Sequence, residues 1–332
     1  MHRHSHKRIY VKLLLVVTLV MGGMELQAQQ VPLYSQYMLN GFLLNPAIAG
    51  AEGYTAVNLT AREQWIGFKD APGTYALSFQ TRILKNSYIS RNSSIRKRQR
   101  YSSRSGNVGL GGYVFNDRNG AVERTGLKAS YAYHIFMQNS QLSFGLSLTA
   151  YQFRLNDEKI RLDDPDDDLY NQAQGTMFIP DADVGVYYDT PDWYVGLSAD
   201  QLFESIIKLG DTGYDEFRME RNYYLIGGYD YRLNDFMVLT PSMLVKYAEN
   251  GSLQADLSAK LYYNQTYWGG LTYRTGHALI VMAGLSVDRL VFGYAFDISL
   301  SSIMKHSFGT HEFVFAAKFG DSARRYRWLN RY

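Results

Sequence analysis

Leu253-Gln254-Ala255-Asp256-Leu257-Ser258-Ala259-Lys260-Leu261-Tyr262-Tyr263 switches between apolar and polar side chains at nearly every step. A period of two sends neighbouring side chains to opposite faces of an extended strand. The same pattern runs through Leu142, Phe144, Leu146, Leu148 and Ala150, through Ala182, Val184, Val186 and Tyr188, and through Leu290, Phe292, Tyr294, Phe296 and Ile298. Segments of roughly ten residues match a tilted membrane strand. A secreted β-sandwich alternates too, but its strands are mostly about five or six residues long. Charged Asp256, Lys260 and Asp297 also sit mid-strand on the polar face. The expected fold is all-β: a single transmembrane antiparallel β-barrel with one face toward lipid and the other toward the lumen.

About 14 strands are expected, near 54–61, 74–83, 106–116, 124–136, 140–153, 181–189, 192–200, 219–233, 236–248, 252–263, 266–275, 278–287, 290–299 and 309–319. An even number places both ends in the periplasm, with short periplasmic turns and long outer loops. Gln138-Asn139, Pro191, Asn234-Asp235, Asn264-Gln265 and Asp288-Arg289 fall at periplasmic turns, and the connections 154–180 and 201–218 fall outside. Pro241 lies inside a strand and predicts a bulge. The connection 84–105 is long although periplasmic. Its Lys85, Arg91, Arg96, Lys97, Arg98, Arg100 and Arg104, with no acid among them, make it a candidate contact for a periplasmic partner.

Composition agrees with this picture. Of 332 residues, 28 are Tyr and 17 Phe, a supply suited to sheets and membrane interfaces. Cysteine is absent, which excludes disulfides, thiolate metal sites and a lipid-anchoring cysteine. The net charge of +3 is too small to imply nucleic acid by itself. Arg3, Lys7 and Arg8 precede a short apolar run, and Leu26-Gln27-Ala28 offers a cleavage point. Residues 1–28 therefore read as an export signal, since the run is shorter than the roughly 20 residues of a spanning helix; an uncleaved anchor is the alternative. The divisions expected are 1–28 signal peptide, 29–52 a periplasmic or plug-like segment, 53–319 barrel, and 320–332 a basic tail. Inward Gly145, Gly185, Gly293, Tyr151, Tyr187 and Tyr262 suggest a lumen at least partly filled, but leave open or filled undecided.

Catalytic and metal-binding motifs do not assemble. Gly-Leu-Ser at 145–147, 196–198 and 284–286 lacks the second glycine of a nucleophile elbow. His311-Glu312 lacks a second histidine four places on, and a strand would throw the pair to opposite faces. His134, His277 and His306 have no ligand spacing. Gly106, Gly109, Gly111 and Gly112 precede no helix-forming run, so a phosphate loop is not expected. The acidic run at 163–168 has oxygen ligands for Ca²⁺ but no EF-hand spacing, and reads better as a solvated outer loop. The basic loop and Arg324, Arg325, Arg327 and Arg331 accompany no nucleic-acid fold. Neither catalysis nor a cofactor, metal or small-molecule substrate is expected.

One stretch is not explained by barrel logic. Residues 30–40 carry Tyr34, Ser35, Gln36, Tyr37 and Asn40, and Asn45, Pro46, Ala47 and Gly50 follow. This opening resembles the PorP/SprF family of the Bacteroidota type IX secretion system. Arg62-Glu63-Gln64-Trp65, the 71–74 segment, Asp117 with Gly120, the 130–134 and 142–145 segments, Pro241-Ser242 with Lys246, Trp268 to Arg274, the 293–297 segment and Gly309 to Glu312 continue the resemblance in order over nearly the whole chain. Gly309-Thr310 and the extended tail depart from it. The resemblance implies a bacterial outer-membrane component that supports secretion or surface attachment of cargo, including gliding adhesins, beside periplasmic secretion components and without enzyme activity. On that reading the barrel is a docking platform: the outer connections hold a cargo C-terminal domain, and 29–50 with 84–105 meet periplasmic partners. A diffusion or uptake channel for small solutes is the alternative, which polar Asp256, Lys260 and Asp297 would allow.

Overall fold

The computed structural model describes residues 34–83, 107–137, 139–155, 177–203, 206–209, 215–218, 220–276, 278–301 and 306–320. The strands are β1 (Thr55–Glu63), β2 (Gly73–Ile83), β3 (Val108–Asn119), β4 (Val122–Phe136), β5 (Gln141–Leu155), β6 (Met177–Asp189), β7 (Trp193–Asp200), β8 (Ile206–Leu209), β9 (Asp215–Arg218), β10 (Asn222–Tyr229), β11 (Tyr231–Arg232), β12 (Met237–Ala248), β13 (Leu253–Tyr263), β14 (Tyr267–Arg274), β15 (Ala278–Val287), β16 (Leu290–Ser299) and β17 (Thr310–Phe319). Each wall strand pairs antiparallel with its neighbours along the chain, and β10 and β11 together act as one wall strand. β1 then pairs with β17 from Thr55↔Phe319 to Glu63↔His311, which closes a barrel of 14 strands. Closure is what lipid demands, because an open edge would leave backbone N–H and C=O groups without partners.

The alternation seen in the sequence is realised with the polarity of a soluble core reversed. Along β13, Leu257 is 55% exposed while Asp256, on the other face, is fully buried. The large apolar side chains look outward to lipid, and Ser, Thr, Asn and charged groups look into the lumen. This arrangement excludes the sandwich, whose apolar faces would meet each other. Trp193, Tyr229, Tyr231, Phe236, Tyr263 and Tyr267 are exposed around the turns at one end, where rings with polar tips suit the headgroup layer.

The ends of the barrel differ as expected. Connections 190–192, 233–236, 264–266 and 288–289 make short turns at the periplasmic end. At the outer end, the long connection between β7 and β10 contains the β8–β9 hairpin rather than loop alone. The acidic run 163–168, the basic connection with Lys85, Arg91, Arg96, Lys97, Arg98, Arg100 and Arg104, and the tail beyond Gly320 lie outside the described residues.

Pro241 does not produce the expected bulge. Gly228 faces Ser242 and Tyr231 faces Leu239, so the register is unchanged across the proline and no residue is inserted. The ladder instead skips one step, since proline has no N–H to give. Asp230 N–H turns to the Asp192 carbonyl at 2.6 Å, and Thr240 Oγ1 donates to the Asp230 carboxylate at 2.7 Å. The gap between β10 and β11 is the result.

Leu257→Arg places a charge on the lipid face and should destabilise the folded barrel by about 2–4 kcal/mol near mid-membrane. Urea titration of refolding into lipid vesicles measures this; an unchanged midpoint would mean that Leu257 does not face lipid.

Candidate functional site

The lumen is occupied by the chain's own residues 34–51. Short turns and two single-turn 3₁₀ helices, Gly41–Leu43 and Pro46–Ile48, make this plug compact. Its innermost end lies against the outer half of the barrel. Glu312 on β17 accepts the backbone N–H groups of Ser35 and Gln36 at 2.7 and 2.8 Å. The Ser35 hydroxyl donates to Asp297 on β16, and Arg62 on β1 bridges Asp297 at 2.8 Å and Glu312 at 3.2 Å. These charges are buried, so removing one partner would strand the others in a poorly solvating interior.

From there the plug runs toward the periplasmic end and meets the wall in turn. Tyr37 hydroxyl donates to Ser242 on β12, and Asn40 donates to Ser78 on β2. Met38 and Leu39 pack on a cluster that includes Tyr262, Trp268, Ile280 and Met282. Phe42 meets Tyr113 edge-on with ring centres 6.0 Å apart. Ser198 on β7 donates to the Leu44 carbonyl at 2.7 Å.

Asn45 explains the Asn-Pro-Ala sequence. Its Oδ1 accepts the Ala47 N–H at 2.9 Å and caps the second helix, with Pro46 at the first helical position where its missing N–H costs nothing. Its Nδ2 donates to the carbonyls of Val186 and Leu197, both at 3.1 Å, which face each other across β6 and β7. Beyond it, His134 on β4 holds the Ala49 carbonyl at 3.0 Å, and Gln141 donates to the Ala51 carbonyl at 3.2 Å. Wall glycines give the plug its room: a Cβ on Gly145 would sit 2.2 Å from Ala47 N, and one on Gly185 would sit 2.1 Å from Asn45 Oδ1.

The structure therefore brings together Ser35, Gln36 and Glu312, and aligns Tyr37, Asn40, Asn45, Pro46, Ala47 and Gly50 on the inner wall. Tyr34 lines a cavity on the outer side of Leu44. Gln64 and Trp65 lie apart from the plug, in the outer connection after β1: Gln64 N–H donates to the Pro72 carbonyl, and Trp65 N–H to Thr310 Oγ1. His311 faces away from Glu312, against Tyr294 hydroxyl at 2.8 Å. The expectation that 29–50 meets periplasmic partners does not hold for its described part, because Ser35, Gln36, Tyr37, Asn45 and Ala47 are buried in the lumen.

Sequence reasoning placed Arg62 and Arg274 in the family resemblance but did not foresee their pairing with the inward acids. Asp256, Asp297 and Lys260 looked like lumen residues compatible with a pore. Asp256 instead takes a two-pronged bond from Arg274 on β14, Asp297 takes Arg62, and Lys260 lies over the Tyr262 and Trp268 rings. Two of the three Gly-Leu-Ser serines are similarly engaged, Ser147 with Ser130 and Ser198 with the plug.

A family model described as type IX secretion system membrane protein PorP/SprF matches residues 26–316. The chain matches no curated protein. Among solved structures it is similar to the Ralstonia pickettii toluene transporter TbuX, at 12% identity and a TM-score of 0.49, over 84% of this chain and 92% of that one. It is also similar to the Acinetobacter baumannii outer membrane protein Omp33, at 8% identity and a TM-score of 0.43, over 80% and 97%.

Asn45→Asp keeps the helix cap but replaces the donor to two carbonyls with an acceptor. It should lower stability by about 1–3 kcal/mol, read as a shifted urea midpoint; a midpoint equal to that of the unaltered protein would place the plug elsewhere.

Proposed function

We propose that this chain, which belongs to the PorP/SprF family of type IX secretion system membrane proteins, works as a plugged outer-membrane docking platform. It supports export or surface attachment of cargo proteins, gliding adhesins among them, and does not conduct solutes. The observation that carries this reading is the lumen filled by residues 34–51, held by buried charges on one side and by backbone carbonyls on the other. A filled lumen leaves the two ends of the barrel as working surfaces. We assign the chain no catalysis.

The outer end has a suitable face. The connections after β1 and before β17 are stitched together, Ile66 N–H to the Gly309 carbonyl and Phe308 N–H to the Ile66 carbonyl. They display Ile66, Phe68 and Phe308, the last 77% exposed. An apolar patch ringed by polar loops is the kind of surface on which a protein partner docks. The connections 154–180 and 201–218 would complete this cargo-facing end by holding a cargo C-terminal domain. At the other end, the basic connection 84–105 would meet an acidic surface of a periplasmic secretion component.

Planar-bilayer recording and co-purification from outer membranes test the proposal together. The purified protein should give no steady current, and exported proteins should co-purify with it. Deleting 88–104 should reduce recovery of periplasmic partners and cargo display at the surface. Phe308→Ser should weaken cargo recovery several-fold while leaving a folded barrel. A steady open current from the intact protein, without cargo, would instead identify a diffusion channel.

A further inference from the structure

On the outer side of the plug, β3 to β7 and β10 surround a cavity of ≈ 100 Å³. Asp117, Asp181, Asp183 and Asp200 line it against only two cations, Arg124 and Lys128. Both cations are engaged: Arg124 pairs with Asp117, and Lys128 pairs with Asp183. Asp181 accepts the N–H groups of Ala182 and Phe203, and Asp200 accepts the Tyr224 hydroxyl at 3.1 Å. Neither has a cation among the described residues within ion-pair distance. Lys246 is held over the Tyr224 ring, 6.0 Å from its centre, and does not line the cavity.

A second observation is independent of these acids. Thr149 Oγ1 and Tyr151 hydroxyl have no hydrogen-bond partner among the described residues, although their side chains line the same cavity and are only 8% and 5% exposed. Asp200 Oδ1 is also without one. Buried polar groups are rarely left so. Three unpartnered oxygens in residues around one cavity, beside two carboxylates with no described cation in direct contact, call for a ligand that is cationic and rich in donors. The Tyr34 ring adds a face on which a flat cation can stack, whereas Lys128 and Lys246 already lie over the rings of Tyr113 and Tyr224. A neutral sugar would satisfy the hydroxyls but bring no cation into contact with Asp181 and Asp200.

We infer that this cavity receives one basic side chain, a guanidinium above all, presented from the cell surface by an exported polypeptide. The identity of the presenting molecule rests on the docking function proposed above; the chemistry of the cavity does not. Arginine fits better than lysine because its planar fork offers five donors and stacks on aromatic rings.

Calorimetry on the full-length protein in detergent tests this with Nα-acetyl-arginine amide and its uncharged counterpart, Nα-acetyl-citrulline amide. The arginine probe should bind saturably and the citrulline probe at least about tenfold more weakly. Asp181→Asn and Asp200→Asn should each weaken the arginine probe about tenfold, the order of one hydrogen bond to a charged group. Tyr151→Phe should weaken it less, and all three variants should keep the heat-modifiable mobility of a folded barrel. Equal binding of both probes, no binding of either, or unchanged affinity in Asp200→Asn would overturn the inference. So would displacement of the arginine probe by calcium chloride at equal concentration, which would make the cavity a metal site. Cargo recovery separates this from the docking proposal. If cargo is retained equally by the Asp181→Asn/Asp200→Asn variant, the cavity is not the receptor and docking stands; if the probe binds and no cargo does, docking fails and the cavity stands.

Discussion

The Glu312 carboxylate ties the molecule together at one point. It is fully buried, it receives two consecutive backbone N–H groups at the start of the plug, and it shares Arg62 with Asp297. Arg62 belongs to the first strand and Glu312 to the last, and the two residues face each other across the seam that closes the barrel. Three chain segments far apart in sequence are thus held by one ionic cluster. Such a cluster is costly to desolvate and is tolerated only when every member has a partner. The plug supplies part of that partnership, so closure of the wall and filling of the lumen are coupled: without Ser35 and Gln36, the Glu312 carboxylate would lose two of its donors.

That coupling separates this barrel from one built around a water-filled channel. Several inward carboxylates and cations are paired between nearby strands, Asp181 and Asp200 apart, and the plug spreads its own bonds over most of the circumference. The glycines at 109, 145 and 185 mark where plug and wall come closer than any β-carbon would permit. On the docking proposal, function then lies at the barrel's ends. The outer end carries the apolar lip formed by Ile66, Phe68 and Phe308, and the acidic cavity is lined in part by the plug residues Tyr34, Leu43 and Leu44. The plug is therefore both a seal and one wall of the surface that faces outward.

How much of this was legible in the sequence follows from the range of each interaction. The wall strands were readable from period-two alternation because lipid selects one face of every strand, and Leu253 to Tyr263 shows it without interruption. Pro241 was noticed, but whether a proline causes a bulge or a gap depends on the register of both neighbours. The ion pairs were not readable. Asp256 and Arg274 are 18 residues apart and become neighbours only once β13 and β14 are aligned. Arg62 and Glu312 need the barrel to close. The plug lay in between: 30–50 stood out because its residues fit no strand, yet nothing local says that Asn45 reaches the carbonyls of β6 and β7. The glycines were its faintest trace, small inward residues with no stated occupant.

The most direct measurement of the plugged lumen is hydrogen exchange on the folded protein in detergent micelles, followed by mass spectrometry of peptides covering residues 34–51. Amides that donate to Glu312, Asn45 and the turns of the plug should exchange only by opening of the structure, on the slow scale of the wall strands. Exchange of that segment as fast as in the denatured chain would contradict the account.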